Sequence, residues 1–263
     1  MYIFAMKFLL KIFLTVLLMS ACHSIEDQTK DQSVELKEEA VNTLRKVLHE
    51  QQEWVKVHAA EFLIWTGNDQ DVKSVFLKEF EQYAGKPQYR IGIWRVLSQL
   101  GSGDEAARYK TQIANAFLDT AGKDRIHAAE TFGKLKGSPF SKEEGKTKTA
   151  LNNEVKALQA YTNWAIAYTD DNSMAKARSY FLSNIANPGA DIVLRKISAY
   201  VLRYIGGVDG TAWNTLTDDA LNMNEDADGR INFLTTAVIL AGEKKIRKEK
   251  NQTVRHVLLS KGE

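Results

Sequence analysis

Cysteine is almost absent from this chain: Cys22 is the only one in 263 residues. A single thiol excludes an internal disulfide and any zinc knuckle built on paired cysteines. Proline is nearly as scarce. The only three, Pro87, Pro139 and Pro188, fall between apolar runs of helical period and leave every predicted helix unbroken. Charge of one sign is lacking as well. The 35 Lys and Arg stand against 33 Asp and Glu, a balance that gives no general attraction for nucleic acid. The one basic cluster, Lys244, Lys245, Arg247, Lys248 and Lys250, is interrupted by Glu249 and preceded by Glu243, and reads as a solvated end. No G-x-S-x-G, Walker loop, G-x-G-x-x-G or H-E-x-x-H occurs. The spacing supports no paired acid and base, so no enzymatic activity is assigned.

What is present begins at the N-terminus. Lys7 and Lys11 precede a short apolar core, Ile12 to Met19, that ends in Met19-Ser20-Ala21-Cys22. The core is too short for a stop-transfer helix and has the order of a secretory signal. The last four residues resemble a bacterial lipobox, with Met19 where leucine is usual. The resemblance implies cleavage before Cys22 and acylation of that residue, whose several acyl chains suffice for stable membrane attachment. Ordinary cleavage after Ala21, releasing a soluble periplasmic protein, is the alternative. His23 follows, not Asp, so nothing argues for inner-membrane retention, and an outer-membrane lipoprotein of the bacterial cell envelope is the expected address. The expected organisation is a signal peptide over 1–21, a lipidated cysteine and flexible tether over 22–32, a helical body over 33–250 and a C-terminal cap or tail over 251–263.

The helical body repeats. A basic residue opens an apolar run at Lys56, Arg90, Arg125, Arg195 and Arg230, in steps of 34, 35, 70 and 35 residues, so one unit is skipped and the register holds. A glycine closes most of these runs, at Gly67, Gly101, Gly137, Gly206 and Gly242. A period in this range marks stacked helical hairpins, none able to bury its apolar face alone. First helices are predicted near 33–53, 71–84, 104–121, 141–152, 173–186 and 211–223. The second helices are VKVHAAEFLIWTG, YRIGIWRVLSQLG, DRIHAAETFGKLKG, LRKISAYVLRYIGG and GRINFLTTAVILAG, with an irregular fourth, EVKALQAYTNWAIAYT, that lacks the arginine and ends near Asp170-Asp171-Asn172. Asn172 falls where a turn residue is due.

The entering basic residue, the small residues after it (His58-Ala59-Ala60-Glu61, His127-Ala128-Ala129-Glu130), a leucine-like position and the closing glycine together resemble HEAT repeats, in particular the short bacterial type of the phycobilin lyases. The resemblance implies an all-α fold, an α–α superhelix (HEAT-like solenoid) of about six helical hairpins, and a role in binding or scaffolding. It brings no catalytic residue, because no lyase-specific set is recognisable.

With the basic residue as zero, positions +3, +7 and +10 are mostly apolar and define the expected core face. Column +5 reads Glu61, Arg95, Glu130, Tyr200, Thr235, and column +9 reads Trp65, Gln99, Lys134, Tyr204, Ile239. These columns are expected either to form a solvated salt ladder or to line a binding surface. Glu61, Arg95, Glu130 and Lys134 are the candidate polar contacts, and Trp65 and Tyr204 the candidate exposed aromatic anchors. Trp94 and Trp164 are expected in the core. The two His-Ala-Ala-Glu copies lie two repeats apart, roughly 16–20 Å by helix packing distance, too far to share a metal ion. Asn224, Asp226, Asp228 and Gly229 match part of a calcium loop, but Thr235 stands where the bidentate acid belongs. The site is therefore a weak candidate for structural calcium, and no other cofactor is expected. The expected partner is an envelope protein or peptide, with the membrane reached through the lipid. An accessory role in carbohydrate or solute handling is the alternative.

Overall fold

The computed structural model describes residues 35–137, 144–208, 210–222 and 227–243. Among them lie twelve helices and no strand. None is long and apolar enough to cross a membrane. The chain divides into two compact units, residues 1–78 and 79–263.

The first unit contains α1 (35–50), α2 (Glu53–Trp65) and most of α3 (Val72–Tyr83). Arg45 donates to Gln70 at 2.9 Å, and His49 lies 2.8 Å from Asp71, so the end of α1 is bonded to the loop that opens α3. Gly67 closes α2 as the sequence suggested. Its φ of +71° is a left-handed conformation that glycine adopts without penalty. There the backbone N–H groups of Thr66, Gly67 and Asn68 satisfy the last carbonyls of the helix.

The second unit continues with α4 (Tyr89–Leu100), α5 (Gly103–Leu118), α6 (Arg125–Lys134), α7 (Glu144–Leu151), α8 (Lys156–Ile166), α9 (Asp171–Ala186), α10 (Ile192–Ile205), α11 (Gly210–Leu221) and α12 (Ala227–Glu243). The first helices α3, α5 and α11 are amphipathic. In α5 the buried set is Ala106, Tyr109, Ile113, Ala116 and Phe117, a single stripe at helical spacing. The second helices form an unbroken rank in which α4 packs on α6, α6 on α8, α8 on α10 and α10 on α12. Such a rank is what stacked hairpins require. The core at its far end joins Trp164, Phe181, Val201, Leu202, Trp213, Leu216 and Phe233.

The repeating basic residues tie the hairpins together. Arg90 donates from Nε and Nη2 to the buried carboxylate of Asp124, which also accepts the backbone N–H of Gln88, so the starts of α4 and α6 share one acid. Arg125 donates from Nε to the Phe117 carbonyl at 3.0 Å and from Nη2 to the Lys146 carbonyl at 3.0 Å, linking α6 to the end of α5 and to α7. Arg195 pairs with Asp219 of α11. Arg125→Met is expected to leave the Phe117 carbonyl buried without its donor, at a loss of about 1–3 kcal/mol in urea unfolding. Lysine is not expected to restore it, because one ammonium does not reproduce the guanidinium fork. An unchanged midpoint for Arg125→Met would remove this linking role.

Two turns differ from expectation. Asn172 is not a turn residue but lies in the first turn of α9. Asp170 is the N-cap, its carboxylate accepting the Ser173 N–H at 2.8 Å. After α6 the left-handed residue is Lys136, with φ +51°, one position before Gly137.

Candidate functional site

The second-helix rank places a band of aromatic and charged side chains across α6, α8 and α10. Trp164, from the last turn of α8, is fully buried and lies edge-on to Tyr200 at 5.8 Å and tilted against Tyr204 at 4.9 Å. Its indole N–H donates to the Tyr168 hydroxyl at 3.2 Å. Tyr161 adds a further ring at 6.4 Å, and the hydroxyls of Tyr200 and Tyr204 are 3.2 Å apart. Lys134, reaching from α6, places its ammonium 5.6 Å from the centre of the Tyr200 ring. The Arg203 guanidinium covers the same ring at 5.2 Å. Adjacent packed helices are about 8–10 Å apart. The contact of an α6 side chain with an α10 ring therefore brings these side chains together across α8, which packs against both helices.

Charge inside the band is organised around Glu130. Its carboxylate is 3.4 Å from Lys134 Nζ and 3.7 Å from His127 Nδ1. Burial alone would push this carboxyl up. Lys134, the His127 hydrogen bond and the charge of Arg95 outweigh that and hold it well below the usual carboxylate range. The neighbouring Tyr161 hydroxyl is pushed up, first by burial and then by the Glu130 charge. Arg203 is lowered by burial. It donates from Nε to Thr236 Oγ1 at 2.7 Å and from Nη2 to the carbonyl and side-chain oxygens of Asn232 at 2.9 and 2.6 Å, all neutral acceptors on α12.

Because the Glu130 carboxyl ionises more readily folded than unfolded, its charge contributes stability above the unfolded value of about 4.3. That contribution fades as pH falls from there toward the lower folded value. Glu130→Gln is therefore expected to lose about 3 kcal/mol near neutral pH, the usual cost of leaving buried cations without their counter-charge. The gap from wild type should narrow between pH 5 and pH 3 in urea midpoints. A gap that stays constant with pH would show that the ionised form is not what stabilises.

The sequence columns do not form one exposed stripe. Arg95 is 0% exposed and donates to Thr131 Oγ1 at 3.2 Å, so it holds α4 to α6 and cannot touch a partner. Glu61 is 1% exposed and lies 3.2 Å from His58 Nδ1. The Lys134 side chain is 3% exposed and that of Glu130 13%. These groups are therefore neither a solvated ladder nor free recognition contacts, because close helix packing encloses short columns that a straight count places at the surface. Tyr204 is half-buried, with its ring against Trp164. Trp65, in the first unit, is 48% exposed beside Phe62, whose ring meets it edge-on at 5.4 Å. Trp94 and Trp164 are buried as expected. Cys22, Asn224 and Asp226 lie outside the described residues, as does the side chain of Asp228. Among the described residues no group of three or more acidic, histidine or cysteine side chains is arranged to hold a metal ion.

Tyr161 and Arg203 were missed in the columns. Arg203 sits at +8, between the two columns chosen. Tyr161 belongs to the irregular unit. If Lys156, which opens α8, takes the place of the missing arginine, Tyr161 becomes its +5 residue. Lys156 follows Arg125 by 31 residues and precedes Arg195 by 39. The displacement of four residues is about one helical turn, which keeps the same face inward.

The fold and this face define the class: an all-α stack of hairpins with an aromatic, charged band on its second helices. No protein-family model matches the chain, and no curated protein is significantly similar to it.

Proposed function

We propose that this is a membrane-tethered binding protein of the bacterial envelope, built as a HEAT-like stack, that recognises a peptide segment of a protein partner along the second-helix face of residues 79–263. The observation that carries this reading is the cluster of partly exposed Tyr200, Arg203 and Tyr204 on α10, backed by the buried Lys134 and Trp164. Tyrosine and arginine supply large contact area with few rotamers to freeze, which is why such residues anchor protein partners. The band carries no nucleophile–base pair, which favours binding over catalysis. Crosslinking in intact cells followed by mass spectrometry should identify one recurring envelope protein. The double variant Tyr200→Ala/Tyr204→Ala should reduce its yield at least ten-fold at equal expression. Yield that does not respond to these two rings would remove the face from the interaction.

The tether has its own test. Lipidation at Cys22 should give incorporation of an alkynyl fatty acid that Cys22→Ala abolishes, with the protein moving from the membrane to the soluble fraction. Labelling that persists in Cys22→Ala would refute the anchor. The exposed Trp65–Phe62 pair also suits stacking on a sugar ring. Under that second reading glycans quench tryptophan fluorescence and Trp65→Ala removes the response. A calcium ion in the loop of Asn224, Asp226 and Asp228 would be structural, raising the melting temperature without altering partner capture.

A further inference from the structure

Although the whole chain is near neutral, the middle second helices are basic. Four of the six second helices, α4, α6, α8 and α10, contain eight Lys and Arg and a single carboxylate, Glu130, whereas α2 and α12 hold two cations and four carboxylates. The Glu130 carboxylate is committed to Lys134 and His127. Other cations of the layer are neutralised from elsewhere, Arg90 by Asp124 and Arg195 by Asp219. Arg95 and Arg125 also bond neutral oxygens but are buried, whereas Arg203 is partly exposed. It stands half-buried in the aromatic band, its Nε and Nη2 bonded only to neutral oxygens, and no carboxylate of the described residues pairs with it. A guanidinium fixed by neutral acceptors keeps its full charge for an incoming anion and needs little reorganisation to meet one. The fold thus holds a preorganised cation beside the tyrosines of α10.

Resting on the peptide-binding reading above, we propose that the partner segment is acidic: an extended peptide whose Asp or Glu side chains meet Arg203 and the tyrosine hydroxyls over α8. Single-stranded nucleic acid shares the charge but needs open ring faces on which bases stack. Here Lys134 and Arg203 cover Tyr200, while Tyr204 lies against Trp164. The hydroxyls of Tyr200 and Tyr204, 3.2 Å apart, are groups that donate hydrogen bonds to carboxylates. Lys156, exposed where α8 begins, is a second cation of this layer.

The test is selection of a phage-displayed random dodecapeptide library on the intact protein, read by sequencing. Wild type is expected to enrich Asp and Glu at least three-fold over the input. Synthetic winners should bind at least ten-fold more weakly when their acids are changed to amides, and also weaken as salt rises from 50 to 300 mM. Arg203→Gln should abolish the acidic enrichment. Should that variant unfold, Lys156→Glu, at that exposed position, should reduce it. Binders without acidic enrichment that are still lost in Tyr200→Ala/Tyr204→Ala would overturn the acidic assignment and leave the peptide-binding reading standing. Displacement of the winners by a twelve-nucleotide oligothymidine, at a lower concentration than an acidic peptide needs, would overturn it in favour of nucleic acid. Absence of any enriched peptide would overturn both readings.

Discussion

Gly133→Ala is expected to destabilise the protein by about 3 kcal/mol, although alanine in the interior of a helix normally stabilises by about 1 kcal/mol relative to glycine. Gly133 lies in α6 where α8 crosses it. A Cβ added there would be 2.2 Å from Trp164 Cδ2 and 2.5 Å from Cε3, far inside contact distance. The tryptophan cannot retreat. It is fully buried, bonded to Tyr168 through its indole N–H, and enclosed by Tyr161, Tyr200 and Tyr204. Overpacking of a tight core costs about 1–3 kcal/mol and occasionally more. For a chain of this size each kcal/mol is worth about 2–4 °C of melting temperature, so a fall of about 6–12 °C is expected. Gly145→Ala in α7 is the control. Its added Cβ meets nothing within 4 Å, and it should melt at or slightly above wild type. Trp164→Leu in the Gly133→Ala background should be less damaging than in wild type, giving a coupling energy above about 1 kcal/mol. A Gly133→Ala protein as stable as wild type would mean that α6 and α8 do not cross here.

Asp124→Asn is expected to cost about 3 kcal/mol, close to the lower end for a broken buried ion pair because the Arg90 side chain is one-third exposed (33%). The acid is buried and bonds both Arg90 and the Gln88 N–H, and Gln88 itself has a φ of +66° that a non-glycine residue holds only under constraint. The amide can still accept one bond but turns its donor toward a guanidinium. The exposed pair Lys46–Glu50, 4.0 Å apart on α1, supplies the contrast. Glu50→Gln should shift stability by less than about 0.5 kcal/mol. Replacing both partners, Arg90→Met with Asp124→Leu, should recover much of the loss, because two apolar groups leave no unpaired charge. Equal effects from Asp124→Asn and Glu50→Gln would contradict the burial on which the argument rests.

Much of the helical layout was legible in the sequence. The first helix predicted over 71–84 spans Val72–Tyr83, and that over 173–186 begins two residues earlier, at Asp171. The entering arginines were visible as a period. Their partners were not, since Asp124 stands 34 residues from Arg90 and Asp219 stands 24 from Arg195, with no common spacing. The closing glycines were half informative. Gly67 and Gly206 take the left-handed backbone that only glycine adopts freely, whereas Gly101 is extended at φ −84° and serves no such purpose. Gly133 carried no signal at all, because a glycine within a helical run marks close approach only once the crossing helix is known. The candidate site was legible as two columns but not as a surface. Tyr204 lies partly exposed in the band, whereas Lys134, Arg95 and Glu61 are enclosed.

The sequence by itself determined that the chain folds into helical hairpins, where each begins and which face of each is apolar, because helix period and turn chemistry act over a few residues. Only the tertiary structure decided which polar residues are buried, which arginines bond carboxylates and which bond neutral oxygens, and which glycine a neighbouring tryptophan requires. Those outcomes depend on how helices some 35 residues apart approach one another, and the side chains that meet there share no spacing along the chain.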